Sequence, residues 1–293
     1  MNALAGRIEL VYNEKKGYFI MLQQDYHVHC LNSPDSSEPL EEICKGALEA
    51  GLTEIMVTDH YEMFHDGNHR SHRPAYRPEY MNQCMKSVME CRARFGDRLY
   101  VGFGIELGQW QLQPQAAARI VREYPLDYVI ASYHKMNDVD LKEYTYTELD
   151  IGKLRHQYLE ELLEIVQTAD FDCLGHLDLV KRYAAAQNVV IRVEEEEELV
   201  REILRTLVMR QKGLELNTSG LRQAAGETFP SLTILRWYRE AGGTVITVGS
   251  DAHCRKDVAA DFGTALKLME AVGFTEVACF RKRRQIMKRT GDM

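Results

Sequence analysis

Short apolar runs recur along the chain at a length that suits buried strands, and helical spacing of apolar residues occupies the segments between them. In residues 40–50, for example, Ile43, Ala47 and Leu48 fall on one helical face. The predicted strands are Gln23–Val28, Glu54–Thr58, Tyr100–Glu106, Asp127–Ser132, Phe171–Gly175, Leu214–Asn217 and Thr244–Gly249. The predicted helices cover residues 40–50, 79–94, 114–123, 147–168, 194–211, 231–241 and 257–272.

This alternation of strand and helix is typical of parallel βα units, so we predict an α/β fold. Neither a repeat of fixed period nor a low-complexity linker interrupts the series, which favours one domain. With 293 residues and 45% hydrophobic residues, the chain is long enough to bury a large core.

Composition excludes several classes of partner. The net charge of −8 argues against a surface for long nucleic acid, because such binding depends on Lys and Arg neutralising phosphates. No apolar run approaches the roughly 18 residues of a membrane span, and Arg7, Glu9 and Lys15 interrupt the N-terminal hydrophobic stretch. We therefore expect a cytoplasmic protein. The seven cysteines form no Cys-x-x-Cys pair, which favours buried free thiols.

Ionisable residues follow almost every predicted strand. The carboxyl ends of parallel strands in a barrel converge on one mouth, so groups far apart in sequence would meet there. Side chains alternate along a strand, so His27 and His29 point to the same side. The residues at strand ends are His27, His29, Asp59, His60, Glu106, His134, His176, Asp251 and His253.

Six histidines at equivalent positions, with added carboxylates, offer more ligands than one four-coordinate zinc requires. A binuclear or trinuclear site is the economical interpretation, and its nitrogen and oxygen donors suit Zn, Mn or Fe without choosing among them. We expect His156 to be an exposed helix residue and the other histidines to lie in a loop after the second strand. Those loop histidines are His65, His69 and His72.

The ionisable residues at the strand ends fall in six sequence blocks: DYHVHCLNSPDSS (25–37), VTDHYE (57–62), GIELG (104–108), SYHK (132–135), GHLDLVKRY (175–183) and GSDAH (249–253). Taken together, these blocks resemble the polymerase-and-histidinol-phosphatase (PHP) family, over residues 25 to 262. The resemblance implies a distorted seven-stranded (β/α)7 TIM-like barrel in a single domain at 25–293, with residues 1–24 as an extension of uncertain role.

The resemblance also implies three divalent metal sites that share the mouth of the barrel. Asp35 stands where many family members have His, and this harder oxygen donor favours Mn or Fe there, or weakens occupancy. The alternative role for Asp35 is capping of the helix after Pro39. The implied sets are His27, His29, Glu106 and Asp251; His134, His176 and the bridging Glu106; and Asp35, His60 and His253.

Within the family, LGHLDLVKRY and LELNTSGLR look most like the stand-alone histidinol-phosphate phosphatases. We therefore expect hydrolysis of L-histidinol phosphate, a small phosphomonoester, with Arg182 and Arg222 binding phosphate through their forked donors. Lys181 is the alternative to Arg182. Either Asp251 or His253 would be the catalytic proton donor to the leaving oxygen.

Three other functions stay open at this stage. One is a PHP phosphoesterase acting on a nucleotide, a phosphotyrosine peptide or another small phosphomonoester. Another is a metal-dependent amidohydrolase, although that class usually has a bridging lysine where this chain has Glu106. The third is a noncatalytic metal-binding subunit. Glu62 and Asp66 are candidates for contacting the amine or imidazole of histidinol, and the oligomeric state cannot be read.

Overall fold

The computed structural model describes residues 11–13, 18–64 and 78–290. The strands of this part are β1 Val11–Asn13, β2 Tyr18–Ile20, β3 Gln24–Val28, β4 Glu54–Val57, β5 His60–Glu62, β6 Tyr100–Gly108, β7 Tyr128–Ser132, β8 Lys135–Met136, β9 Val139–Asp140, β10 Cys173–Leu174, β11 Gly213–Asn217, β12 Ile246–Gly249, β13 Glu276–Arg281 and β14 Arg284–Arg289. Its α-helices are α1 Leu40–Glu49, α2 Pro78–Phe95, α3 Pro114–Glu123, α4 Ile151–Thr168, α5 Val180–Ala186, α6 Glu197–Met209, α7 Leu232–Glu240 and α8 Phe262–Ala271.

Seven parallel strands form the barrel, in the order β3, β4, β6, β7, β10, β11 and β12. The first and last strands meet only near their carboxyl ends. There His29 N donates to the Ala252 carbonyl and Asp251 N donates to the His27 carbonyl, both over 2.8 Å. The α/β, TIM-like barrel expected from the sequence is therefore confirmed, with a seam between β3 and β12 that accounts for its distortion.

All seven predicted barrel strands are present, with ends that move by a few residues. The largest reduction is in β10, where only Cys173–Leu174 pairs with its neighbours. The predicted helix at 257–272 begins instead at Phe262, because residues 255–257 form a 3₁₀ turn. The sequence did not predict β5 beside β6, helix α5, the C-terminal hairpin of β13 and β14, or the short pairs β1–β2 and β8–β9.

The barrel strands are buried on both faces, as expected when helices cover a parallel sheet. Each helix turns an apolar stripe to the sheet; in α1 that stripe contains Ile43, Cys44 and Ala47. All seven cysteines are free and six of them are buried, which confirms the prediction for the thiols. Among the described residues, none of the helices combines the length and apolarity that crossing a membrane demands.

The C-terminal hairpin closes the amino-terminal end of the barrel. Its basic side chains contact acidic residues at the beginnings of strands: Arg281 binds Glu54 at the start of β4. Arg283 binds Asp172, just before β10, with Nε 3.0 Å from the nearer carboxylate oxygen. We call this end the base of the barrel. The opposite end, where the strands terminate, stays clear of the hairpin and carries the ionisable residues.

Candidate metal centre

The nine predicted metal ligands lie together at the carboxyl ends of the barrel strands. Glu106 is at their centre, near the end of the long strand β6, and is fully buried. The register places His60 of β5 directly beside Glu106. Residues from at least six different segments therefore surround one carboxylate. The nine are His27, His29, Asp35, His60, Glu106, His134, His176, Asp251 and His253.

One oxygen of Glu106 faces two imidazoles from neighbouring strands. Glu106 Oε1 lies 3.0 Å from His134 Nε2 and 2.8 Å from His176 Nε2. The two Nε2 atoms are themselves 3.4 Å apart. The Ser132 hydroxyl donates to the same carboxylate oxygen over 2.7 Å and so fixes its orientation. These three donor atoms converge tightly enough to surround a single cation.

The other oxygen of Glu106 faces the His-x-His pair. Glu106 Oε2 lies 3.3 Å from His27 Nε2 and 3.5 Å from His29 Nε2. Asp251 Oδ1 completes this group at 3.3 Å from His29 Nε2 and 3.7 Å from His27 Nε2. The backbone of Asp251 has a φ of +55°, an uncommon region that aspartate tolerates better than most residues. This conformation aims its carboxylate into the mouth.

A third group lies nearer to solvent. Asp35 Oδ2 is 3.1 Å from both His60 Nε2 and His253 Nε2. The Asp35 side chain is 43% exposed and that of His253 is 29% exposed, in contrast to the buried carboxylate of Glu106. His29 also comes within reach of this group, so it sits between two of the sets that the resemblance implies. The capping alternative for Asp35 is not what the structure shows, because α1 has no side-chain cap.

The charges of the site favour a cation at its centre. Burial raises the pKa of the Glu106 carboxyl, but the His60 and His27 imidazoles outweigh it and hold that pKa well below its usual range. Burial lowers the pKa of His27, yet Glu215 and Glu106 hold it well above its ordinary value. Burial and neighbouring imidazoles lower the pKa of His29 to about 3, so this imidazole is neutral and can offer a lone pair.

Four buried atoms of this site make no well-aligned hydrogen bond among the described residues, although two of them, His60 Nδ1 and Glu106 Oε2, lie 2.8 Å apart. The four are His27 Nε2, His29 Nε2, His60 Nδ1 and Glu106 Oε2. Buried polar atoms are normally hydrogen-bonded, and exceptions that converge on one point are typical of an ion site. Nitrogen and carboxylate oxygen are also the donors that zinc, manganese and iron accept. The residues present therefore fit divalent transition metals.

Both predicted phosphate-binding arginines reach the mouth. Arg182 Nη2 lies 2.7 Å from Asp251 Oδ2, and Arg222 Nη2 donates to the Ser250 carbonyl over 2.7 Å. Each guanidinium keeps one buried nitrogen without a hydrogen-bond partner among the described residues, Nε in Arg182 and Nη1 in Arg222. Lys181, the alternative, has its Nζ 3.0 Å from Asp178 and is directed away from the metal ligands.

Two buried glutamates stand behind the metal ligands, and sequence reasoning did not identify this role. Glu62 Oε1 is 2.6 Å from His134 Nδ1, and Glu215 Oε1 is 2.6 Å from His27 Nδ1. The candidate role of Glu62 in contacting histidinol is not what the geometry favours, because its carboxylate is buried against His134. The only available signal was the position of Glu62 in VTDHYE and of Glu215 in LELN, each close to a strand end.

The remaining histidines that the sequence singles out do not join the metal ligands within the described part of the chain. His156 is in α4 with a side chain 53% exposed, as predicted. His65, His69 and His72, together with Asp66, lie outside the described residues.

Comparison with known proteins agrees with this geometry. Residues 25–219 match the PHP domain family model. The histidinol-phosphatase of Lactococcus lactis subsp. lactis is 31% identical over 265 residues, which cover 89% of this chain and 95% of the relative. The crystal structure of the L. lactis histidinol phosphate phosphatase, complexed with zinc, L-histidinol and phosphate, is 28% identical. It covers 90% of this chain and 98% of that chain with a TM-score of 0.78.

A structure from Listeria monocytogenes adds support for the fold alone. It is 19% identical, covers 82% of this chain and 99% of that chain, and has a TM-score of 0.72. The family match spans most of the barrel, and the L. lactis relative aligns along nearly the whole chain. The chain belongs to the PHP domain family.

Proposed function

We propose that this protein is a metal-dependent phosphomonoesterase that hydrolyses L-histidinol phosphate to L-histidinol and phosphate, a reaction of histidine biosynthesis. The observation that carries the proposal is the convergence of six imidazoles and two further carboxylates on Glu106 at the barrel mouth. The similar L. lactis enzyme, whose structure holds zinc, L-histidinol and phosphate, supports the choice of substrate.

Three ions would be held by the three groups of donors. His27, His29 and Asp251 would hold one with Glu106 Oε2; His134 and His176 would hold another with Glu106 Oε1. Asp35, His60 and His253 would hold the third. When bound, divalent zinc, manganese or iron neutralises phosphate charge and makes a nucleophile from water near neutral pH.

The arginines would hold the nonbridging oxygens of the phosphate. A guanidinium presents a planar fork of donors that matches two phosphate oxygens. Arg182 Nε and Arg222 Nη1, which make no hydrogen bond among the described residues, would supply such donors beside Asp251 and Ser250, with Arg222 Nη1 also 3.6 Å from Asp261 Oδ2. In a chain of net charge −8, these two cations give the mouth a local attraction for an anionic substrate.

The leaving alkoxide requires a proton, and Asp251 and His253 remain the two proposed donors. Asp251 has both oxygens engaged, Oδ2 with Arg182 and Oδ1 facing the His-x-His pair. His253 is the more accessible, with 29% of its side chain exposed against 4% for Asp251. Accessibility favours His253, which would donate from Nε2 in the state where that nitrogen does not hold the third ion, because its Nδ1 lies 2.9 Å from the Asp251 carbonyl.

The decisive experiment compares histidinol phosphate with a panel of phosphomonoesters, including p-nitrophenyl phosphate, a nucleoside monophosphate and a phosphotyrosine peptide. Metal content is measured on the same sample. We expect kcat/KM to be highest for histidinol phosphate and to vanish on chelation. Higher kcat/KM for a nucleotide or the phosphopeptide would support the alternative PHP phosphoesterase, and activity that survives chelation would contradict the metal-dependent reaction.

An amidohydrolase is a weaker second candidate, since Glu106 takes the bridging position that a lysine usually fills in that class. Hydrolysis of an amide but of no phosphomonoester would favour it. The cytoplasmic location, the lack of affinity for long nucleic acid and the extension at residues 1–24 stay predictions.

A further inference from the structure

Glu62 is held rigidly behind His134. Its carboxylate is only 4% exposed, and Oε1 lies 2.6 Å from His134 Nδ1. Its second oxygen accepts from the Gln109 side-chain NH₂, and the side-chain oxygen Oε1 of Gln109 in turn accepts from the His134 backbone N–H over 2.8 Å. Side chain and backbone of His134 are thus fixed by one connected network, which leaves Nε2 facing Glu106.

Glu215 plays the same part behind His27, and it also reaches a second ligand. Its carboxylate is 1% exposed, with Oε1 2.6 Å from His27 Nδ1. Its other oxygen accepts from the His176 backbone N–H over 2.8 Å and from Asn217 Nδ2 over 3.2 Å. One buried carboxylate therefore joins the side chain of one proposed ligand to the backbone of another.

Two glycines of the family motifs make room for these glutamates. A Cβ on Gly108, the last residue of GIELG, would lie within 3.0 Å of all three carboxylate atoms of Glu62. A Cβ on Gly249, the first residue of GSDAH, would lie within 3.0 Å of Glu215 Oε1 and of His27 Cβ. Neither glycine has a positive φ, so space rather than backbone conformation explains them.

The two supported imidazoles face different oxygens of Glu106, His134 facing Oε1 and His27 facing Oε2. His60 Nδ1 faces Glu106 itself at 2.8 Å, and two other histidines of the mouth have no carboxylate within hydrogen-bond distance of Nδ1 among the described residues. His253 Nδ1 lies 2.9 Å from the Asp251 carbonyl, and His29 Nδ1 lies 3.4 Å from the Ser33 hydroxyl. Glu62 therefore lies behind the imidazole that faces Glu106 Oε1, and Glu215 lies behind the imidazole that faces Glu106 Oε2.

We propose that Glu62 and Glu215 are positioning residues that hold His134 and His27 with a proton on Nδ1 and a lone pair on Nε2. Because Gly108 and Gly249 have no side chain, they leave the space that the carboxylates of Glu62 and Glu215 occupy. The proposal rests on the metal binding that the proposed function requires. When a histidine binds a metal through one ring nitrogen and donates the N–H of the other to a carboxylate, its tautomer and orientation are fixed and it becomes a more basic ligand. Removal of such a carboxylate typically weakens metal binding by about 10- to 100-fold.

The test measures zinc affinity of the full chain by competition with a chromophoric chelator, for Glu62→Gln and Glu215→Gln. Gly108→Ala and Gly249→Ala form a second pair, which keeps each carboxylate but displaces it. The matched controls are Glu54→Gln, an equally buried glutamate at the base of the barrel, and Gly102→Ala, in the same strand as Gly108 but crowding only Met56 and the Ile55 carbonyl. The cobalt(II) absorption spectrum of each variant reports ligand geometry.

We expect the four site variants to bind at least one zinc about 10- to 100-fold more weakly, with altered cobalt spectra. The controls should match the wild type in affinity and spectrum even where they unfold more easily. Wild-type affinity and spectra in both glutamine variants would overturn the proposal, as would equal losses in the controls. If Glu62→Gln fails to fold, Gly108→Ala decides the same question, because its Cβ would crowd the Glu62 carboxylate. If Glu215→Gln fails to fold, the zinc affinity and cobalt spectrum of Glu62→Gln decide it, because Gly249→Ala would also crowd His27 directly. A wild type that binds zinc in this way but does not hydrolyse histidinol phosphate would contradict the proposed function alone.

Discussion

At Glu106 a single carboxylate presents each of its oxygens to a different pair of imidazoles, with all of these groups removed from water. Such an arrangement is suited to sharing negative charge between two cations, and the local pKa directions keep this carboxylate ionised. The chemistry of the mouth therefore depends on this residue more than on any one histidine.

Replacement of Glu106 by Gln removes the charge and one anionic oxygen while it preserves size. We expect metal affinity to fall by about 100-fold or more, the upper range for losses around a metal site, and activity to fall with it. Elemental analysis after dialysis, with histidinol phosphate turnover on the same sample, measures both. Full metal content and near-normal turnover would show that Glu106 is merely structural.

Arg222 tests phosphate recognition separately from metal binding. Arg222→Lys keeps the charge but loses the fork, so we expect KM to rise and turnover to fall by a combined amount on the order of 1.5–3 kcal/mol. Metal content should not change, because the guanidinium contacts the Ser250 carbonyl rather than a metal ligand. Steady-state kinetics with histidinol phosphate measure the effect.

Arg182 is the informative comparison, because it contacts Asp251 directly and its replacement should disturb metal content as well. Unaltered kinetics in both Arg222→Lys and Arg222→Ala would transfer the phosphate role to Arg182. Loss of metal in the Arg222 variants would mean that this residue supports the barrel mouth instead.

Most individual ligands could be predicted from sequence because they lie at or just after a recognisable strand, as His134 follows β7 and His176 follows β10, whereas Asp35 was implied by the family resemblance alone. The role of Glu62 and Glu215 could not, since it depends on contacts between segments that lie far apart along the chain. His134 and Glu62 are separated by 72 positions, and His27 and Glu215 by 188. Only the folded barrel brings each pair to 2.6 Å.

At the scale of elements, the hairpin of β13 and β14 is the feature that the sequence conceals. Its basic run, RKRRQ, has no apolar alternation that predicts strands. The structure shows why it is ordered: Arg281 binds both oxygens of Glu54, and Lys282 N donates to Asp127 over 2.9 Å. Strand formation here depends on acidic partners at the base of the barrel, which a local pattern cannot reveal.

Removal of one basal contact should weaken the whole fold. Within the described part of the chain, Arg281→Ala leaves the buried Glu54 carboxylate with Lys288 and Tyr26 as its only side-chain partners. We expect a loss of about 1.5–3 kcal/mol in the free energy of unfolding, the range for hydrogen bonds to charged groups. Urea denaturation measures it, with Arg284→Ala on the exposed side of the hairpin as control. Equal stability of the two variants would contradict the role of the basal pair.

The ion pair of Arg281 with Glu54 also predicts how the free energy of unfolding changes with pH. Burial raises the pKa of Glu54, but hydrogen bonds from Arg281 and Tyr26 outweigh it and hold the pKa below its ordinary value of 4.5. A depressed pKa in the folded state gives stability that is present above about pH 4.5 and is lost as the pH falls through the folded pKa. The wild type should therefore lose more stability than Arg281→Ala between about pH 7 and pH 3.5, by urea denaturation. A constant difference between them would argue against this linkage.

On the scale of the whole molecule, the two ends of the barrel differ in how their buried acidic groups are neutralised. The base is neutralised within the chain by the hairpin, whereas the mouth collects buried carboxylates and imidazoles with unpartnered atoms. Bound cations would supply the positive charge at the mouth that arginine side chains supply at the base. The stability of the barrel should therefore depend on metal.

Metal removal should lower the free energy of unfolding. A ligand that binds only the folded state at 100 times its Kd stabilises it by about 2.7 kcal/mol for each site. We expect the chelated protein to unfold at lower urea and at lower temperature, and added zinc to restore both midpoints. Identical midpoints with and without metal would show that the mouth is stable without a cation.

The position of the hairpin along the chain also bears on synthesis at the ribosome. Strands β3 to β12 leave the exit tunnel before residues 276–289, so Glu54, Asp127 and Asp172 emerge long before the arginines that pair with them. Translation adds about 5–20 residues per second, so the nascent barrel passes through an interval with acidic groups at an open base. Neutralisation of the base is therefore a late event in synthesis, set by the emergence of residues 276–289 rather than by that of the seven barrel strands.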